Sequence, residues 1–317
     1  MAHPLHYFFQ NLIDYAGLFP PAKLPMAKAV AEYQSLLTRE ETWMLSHFIC
    51  PLGRLEDFQE QFRKQVSEEA SWTVSFLPRG GEDVNAFLSN LREDVWQFEK
   101  VSQSLDRRAT LKAIEVKLPA IRNGAALTQL VKDCRIMLSD SAIGDIFLEV
   151  GFDEDWEDSL PETVEHLAKA AGENRGPRVG LKIRTGGISA DLHPSPDQVA
   201  GFLSAAKTHG LAFKATAGLH HPYRHFAPAV QTKQHGFLNL FVGATLFDHG
   251  LINQAALASL LDCEDGSRFK IREDGISFGD ATASAEQARQ TRERFAISYG
   301  SCSFDEPIED LRALDLL

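Results

Sequence analysis

Short runs rich in β-branched and aromatic residues alternate with segments whose apolar residues recur at helical spacing, along most of the 317-residue chain. A strand followed by a helix and then another strand is a crossover unit, so its repetition dictates a parallel sheet. The β-rich runs are TWMLSHFI (42–49), SWTVSFLP (71–78), LKAIEVKLP (111–119), DIFLEVGF (145–152), RVGLKIRTGG (178–187), LAFKATAG (211–218) and FLNLFVGA (237–244). An eighth is placed at GISFG (275–279), within a hairpin-like stretch.

Between them, Leu55, Phe58, Phe62 and Val66 share a helical face, as do Leu160, Val164, Leu167 and Ala171. Ser195, Pro196 and Asp197 read as an N-cap, a first-turn proline and an acid near the positive end of a helix dipole. Further helices are predicted over 26–37, 282–295 and 307–315. Eight such units are expected to close into a (β/α)8 barrel of α/β class. The expected division is an N-terminal loop and capping helix (1–41), then the barrel with a C-terminal helix (42–317). A doubly wound open sheet is the alternative, but no GxGxxG or P-loop run supports nucleotide binding there.

Alternation within strands assigns side chains to the barrel interior. Ile114, Val116, Ile146, Leu148, Val179, Leu181, Ile183, Phe213 and Ala215 take the helix-facing phase. Glu115, Lys117, Glu149, Lys182, Arg184, Lys214, Thr216 and Asn239 then point inward together. Charged groups are seldom buried unpaired, so one expectation is an internal ion-pair network. The other is chemistry: a lysine beside another cation in a desolvated pocket loses its proton more easily and can attack a carbonyl. Lys214 is the expected Schiff-base or general-base lysine, Lys182 its tuner, and Glu149 a proton relay. His220 and His221 are expected to assist from the following loop.

The KATAG run resembles the Schiff-base motif of class I aldolases of the deoxyribose-phosphate aldolase type, with Lys214, Thr216 and Gly218 in matching places. LKIRTGGI is similar to that family's VKASGGI run, through Lys182, Gly186, Gly187 and Ile188. In that family the second run follows the nucleophile's strand, whereas here it precedes it. The resemblance spans under a tenth of the chain and implies a barrel with a reactive lysine and lyase activity. With its DYAGLFPPA, KIRTGG and KATAGLHHP runs, the whole chain also resembles bacterial barrel proteins of unassigned function.

Gly186, Gly187 and Arg224 complete the expected substrate contacts, the glycines by exposing backbone N–H groups to an anion. His225 is placed on the next helix. Cys302 lacks a base partner by spacing, and the runs 14–21 and 299–304 read as lids. Two alternatives remain: a divalent-metal isomerase or hydrolase using Glu115, Glu149 and a loop histidine, or a non-catalytic ligand- or partner-binding barrel. No cofactor is expected under the first reading. A zinc hydrolase is disfavoured because the first run carries only His47, where a His-x-His pair would be wanted.

Cys50, Cys134, Cys263 and Cys302 lie far apart, which argues against a disulfide framework. A net charge of −12 disfavours nucleic acid and anionic membranes as partners, while leaving room for an anionic small-molecule substrate. With no apolar run of spanning length and no basic leader, a cytoplasmic location is expected.

Overall fold

Eight parallel strands close into a barrel in the computed structural model, which describes residues 3–121, 123–172 and 176–317. In chain order they are β1 (Ile13–Tyr15), β2 (Leu45–Pro51), β3 (Trp72–Leu77), β4 (Ala109–Lys117), β5 (Asp145–Val150), β6 (Arg178–Arg184), β7 (Ala212–Thr216) and β13 (Ala296–Ser301). β1 closes the ring between β13 and β2. The intervening strands lie outside it: a hairpin of β8 (His225–Ala227) and β9 (Thr232–Gln234), and an antiparallel sheet of β10 (Phe269–Arg272), β11 (Gly275–Phe278) and β12 (Ala281–Ser284). The chain is a (β/α)8 barrel.

A short α1 (His6–Phe9) precedes β1, and the outer helices are α2 (Met26–Leu36), α3 (Leu55–Gln65), α4 (Val84–Ser104), α5 (Gly124–Met137), α6 (Trp156–Ala171) and α7 (Pro196–Thr208). They continue with α8 (Phe237–Asp248), α9 (Gln254–Leu261), α10 (Ala285–Arg294) and α11 (Asp305–Ala313). The cap predicted for α7 is present: the Ser195 hydroxyl accepts from the Gln198 backbone, and the Gln198 side chain accepts from Ser195 N–H. The helix-facing strand residues Ile114, Val116, Ile146, Leu148, Leu181, Ile183, Phe213 and Ala215 are buried. Tyr15, Tyr33, Phe48, Phe58 and Trp72 pack ring against ring where β1 to β3 meet α2 and α3.

Two expected strands are corrected. FLNLFVGA forms α8, whose residues Phe237 to Phe247 are all buried. A helix enclosed on every side carries no apolar stripe, so its run has no helical period to distinguish it from a buried strand. GISFG supplies β11, which pairs antiparallel with β10 and β12 and is no part of the barrel. The strands in their place are β1 and β13, so the N-terminal segment builds barrel wall. His225 lies in β8 rather than on a helix. Among the described residues, no helix is long and apolar enough to cross a membrane.

Candidate functional site

The inward phase of the parallel register sets one charged layer inside the barrel. Glu149 lies opposite Lys182, and Lys182 opposite Lys214, on β5, β6 and β7. Glu115 comes from β4 and Asp14 from β1. Lys214 Nζ is 2.8 Å from Asp14 Oδ2 and also hydrogen-bonds Glu115 Oε1. The other Glu115 oxygen is 2.9 Å from Lys182 Nζ, but outside hydrogen-bond geometry. Lys182 Nζ is also 3.2 Å from Glu149 Oε2, and Arg184 Nε is 3.5 Å from Glu149 Oε1. Three carboxylates and three cations thus form one chain of contacts, from Asp14 deep in the barrel to the exposed Arg184 at its rim.

Three further donors hold Glu115 and Asp14. Ser75 donates to Glu115 (2.6 Å) and Ser298 to Asp14 (2.5 Å), while the His47 backbone N–H donates to the other Asp14 oxygen (3.0 Å). His47 Nδ1 is 2.8 Å from the Thr73 hydroxyl. Phe147 lies below, with Lys214 Nζ 5.6 Å from its ring centre. Gly180 makes room for that ring, since a Cβ there would lie 2.6 Å from it.

These contacts reverse one sequence expectation. Burial drives the Lys214 pKa down, but Asp14 and Glu115 together outweigh it, and the net shift is upward. Lys214 therefore rests as an ammonium, not as a neutral amine produced by Lys182. Burial pushes Asp14 and Glu115 up, yet Lys214, with Lys182 acting on Glu115, brings both below their ordinary values. Burial lowers His47, against the opposing pull of Asp14. The four cations and two glutamates assigned inward by alternation become three against three, because Lys117 is exposed outside the cluster and Asp14 on the unforeseen strand β1 joins it. Its sequence signal was available: one acid amid the apolar Leu12, Ile13 and Tyr15 repeats the pattern of Lys214 amid Phe213 and Ala215.

Other expected site residues stand outside this chain of contacts. Lys117 is exposed at the end of β4. Asn239 is on α8, where its amide donates to the Leu260 and Cys263 carbonyls and its oxygen accepts from Arg224 N–H. Arg224 is buried, 2.7 Å from Asp262 and against His235, whose pKa burial and Arg224 drive down to about 4. Thr216 is half-buried at the top of β7, and its carbonyl accepts from Thr185 N–H. Gly186 serves close approach: a Cβ there would lie 2.8 Å from Gly218 Cα. A Cβ on Gly187 would meet the Leu192 side chain at 2.4 Å.

His220 and His221 are held by α11, through Glu306 (2.8 Å) and Asp310 (2.7 Å) respectively, and neither bonds to the lysine cluster. Among the described residues, no three His, Cys, Asp or Glu side chains form a group that could hold a metal ion. The chain matches no protein-family model and no curated protein. The likeness to aldolases thus rests on the two short runs alone.

Proposed function

We propose that this barrel is a lyase-like enzyme acting on a small carbonyl compound, with Lys214 as its Schiff-base amine. The observation that carries the reading is one buried ammonium held between two carboxylates from different sides of the barrel. Asp14 or Glu115 can take the proton that must leave Lys214 before its nitrogen attacks. The same carboxylate can return that proton to the departing hydroxyl. An ammonium plus a carbonyl gives a protonated imine plus water, with no change in net charge. The carboxylates that hold the ammonium would hold the imine equally, so the cluster is preorganised for the product of the step.

Lys182 keeps Glu115 ionised while Lys214 is consumed. Arg184, exposed at the rim and balanced among the described residues by Glu149 at 3.5 Å, offers charge to an anionic substrate. Stability alone gives little reason for such a layer, because buried ion pairs are often no better than apolar packing.

Lys214→Met and Lys214→Arg test the reading in a turnover screen of small aldehydes, ketones and keto acids. Arginine preserves the charge but forms no imine, so both variants should be inactive. Activity in Lys214→Arg would refute covalent catalysis. A structural ion-pair network is the second reading, favoured by the raised Lys214 pKa; under it the variants alter stability and no turnover is found for any of them. The metal alternative lacks comparable support, since both Glu115 oxygens already face ammonium groups.

A further inference from the structure

Three side chains outside the lysine cluster meet at the same end of the barrel. Cys302 follows directly on β13, His220 follows β7, and Glu306 stands in the first turn of α11. Cys302 Sγ lies 4.0 Å from His220 Nε2, and His220 Nδ1 lies 2.8 Å from Glu306 Oε2. With its proton on Nδ1, donated to Glu306, His220 turns the lone pair of Nε2 toward the thiol. Nucleophile, base and orienting carboxylate then stand in contact order.

Burial raises the Cys302 pKa, and the Ala22 backbone N–H at the sulfur opposes that rise. The thiol therefore keeps its proton at rest, and His220 must take it during attack. No other cysteine has a histidine partner among the described contacts. Cys50 and Cys134 are buried, and Cys263 points at the Asp265 carbonyl. Gly300 pairs with Thr216 across β13 and β7, so Cys302 sits four residues further up the barrel than Lys214. That is roughly 13 Å at strand rise, which separates the two centres.

We propose that Cys302, His220 and Glu306 form a second nucleophilic centre that adds reversibly to the carbonyl carbon of a small aldehyde. The S–C bond forms as His220 Nε2 takes the thiol proton. The carbonyl π pair moves onto oxygen, and the imidazolium returns the proton there. The product is a hemithioacetal, with no leaving group and no change of oxidation state. Addition of this kind needs only groups already in place. The sulfur's low exposure, 7% for the residue, admits only a small electrophile.

The test is the rate of iodoacetamide alkylation of each cysteine in the native protein, read by peptide mass. Cys263 is the internal reference, and unlabelled Cys50 and Cys134 report an intact fold. His220→Gln should slow Cys302 by about tenfold or more relative to Cys263. Glu306→Gln should slow it to a lesser degree, and decides the matter if His220→Gln exposes the buried cysteines. Propanal should protect Cys302 in the wild type and equally in Lys214→Met, which separates thiol addition from imine formation. An unreactive Cys302, wild-type rates in the folded variants, or no protection by propanal would overturn the proposal.

Discussion

Glu115→Gln removes the carboxylate that, among the described residues, both buried lysines share. Glu115 is 2% exposed, contacts Lys214 through one oxygen and lies 2.9 Å from Lys182 through the other. The amide keeps the shape and the Ser75 hydrogen bond but not the charge. Lys182 is then left with Glu149 at 3.2 Å and Lys214 with Asp14 at 2.8 Å, two cations on neighbouring strands with less between them. Breaking a buried pair by removing one partner costs about 3–5 kcal/mol. A chain of 317 residues unfolds with an entropy of roughly 0.7 kcal/mol per degree, so Tm should fall by roughly 4–8 °C. Calorimetry or circular dichroism at pH 7 reads this directly. Adding Lys214→Met removes the stranded cation, so the double variant should lose less than the sum of the singles, with a coupling of about 0.5–3 kcal/mol. A Glu115→Gln protein melting within a degree of wild type, with additive effects in the double variant, would refute the view that these charges hold one another.

Stability should also follow pH as the cluster dictates. The carboxylates of Asp14 and Glu115, depressed below their ordinary values of 3.8 and 4.5, contribute fully above those values and lose their contribution as the pH falls toward the folded pKa. His47, depressed below 6.5, begins the loss earlier on the acid side. Lys214, raised above 10.5, contributes fully below that value and loses its contribution as the pH climbs through its folded pKa. Denaturant melts should therefore show these groups contributing evenly from about pH 7 to 10, with a shallower acid limb in Glu115→Gln; an acid limb unchanged by that substitution would contradict the assignment. Asn239→Ala should cost about 1–3 kcal/mol in urea melts, because the Arg224 N–H and the Cys263 carbonyl lose their partner while the Leu260 carbonyl keeps only the Cys263 N–H. Turnover should be untouched, and a loss of activity at full folding would return Asn239 to the site.

The strands from β4 to β7 were legible in the sequence because each has one apolar phase against the helices, and β2 and β3 because their runs are rich in β-branched and aromatic residues. That phase also set Glu115, Glu149, Lys182 and Lys214 on one interior. The chain's two closing strands were not legible. β1 has three residues, too few for a period, and β13 carries Ser298 and Gly300 behind the charged end of α10. The enclosed helix α8 took a strand's place because burial on all sides erases its stripe. Missing β1 hid Asp14, and without Asp14 the lysines looked unbalanced and a neutral amine looked natural. Partners brought together by folding were equally hidden: His220 and Cys302 are 82 residues apart, and α11 supplies the carboxylates for both loop histidines.

The most direct measurement of the central claim is borohydride reduction in the presence of small carbonyl compounds, followed by peptide mapping. A reduced adduct should appear on the peptide containing Lys214, vanish in Lys214→Met and Lys214→Arg, and form more slowly in Glu115→Gln. No adduct with any carbonyl, or an adduct confined to other lysines, would contradict the account and leave the buried charges as an ion-pair network that holds the barrel together.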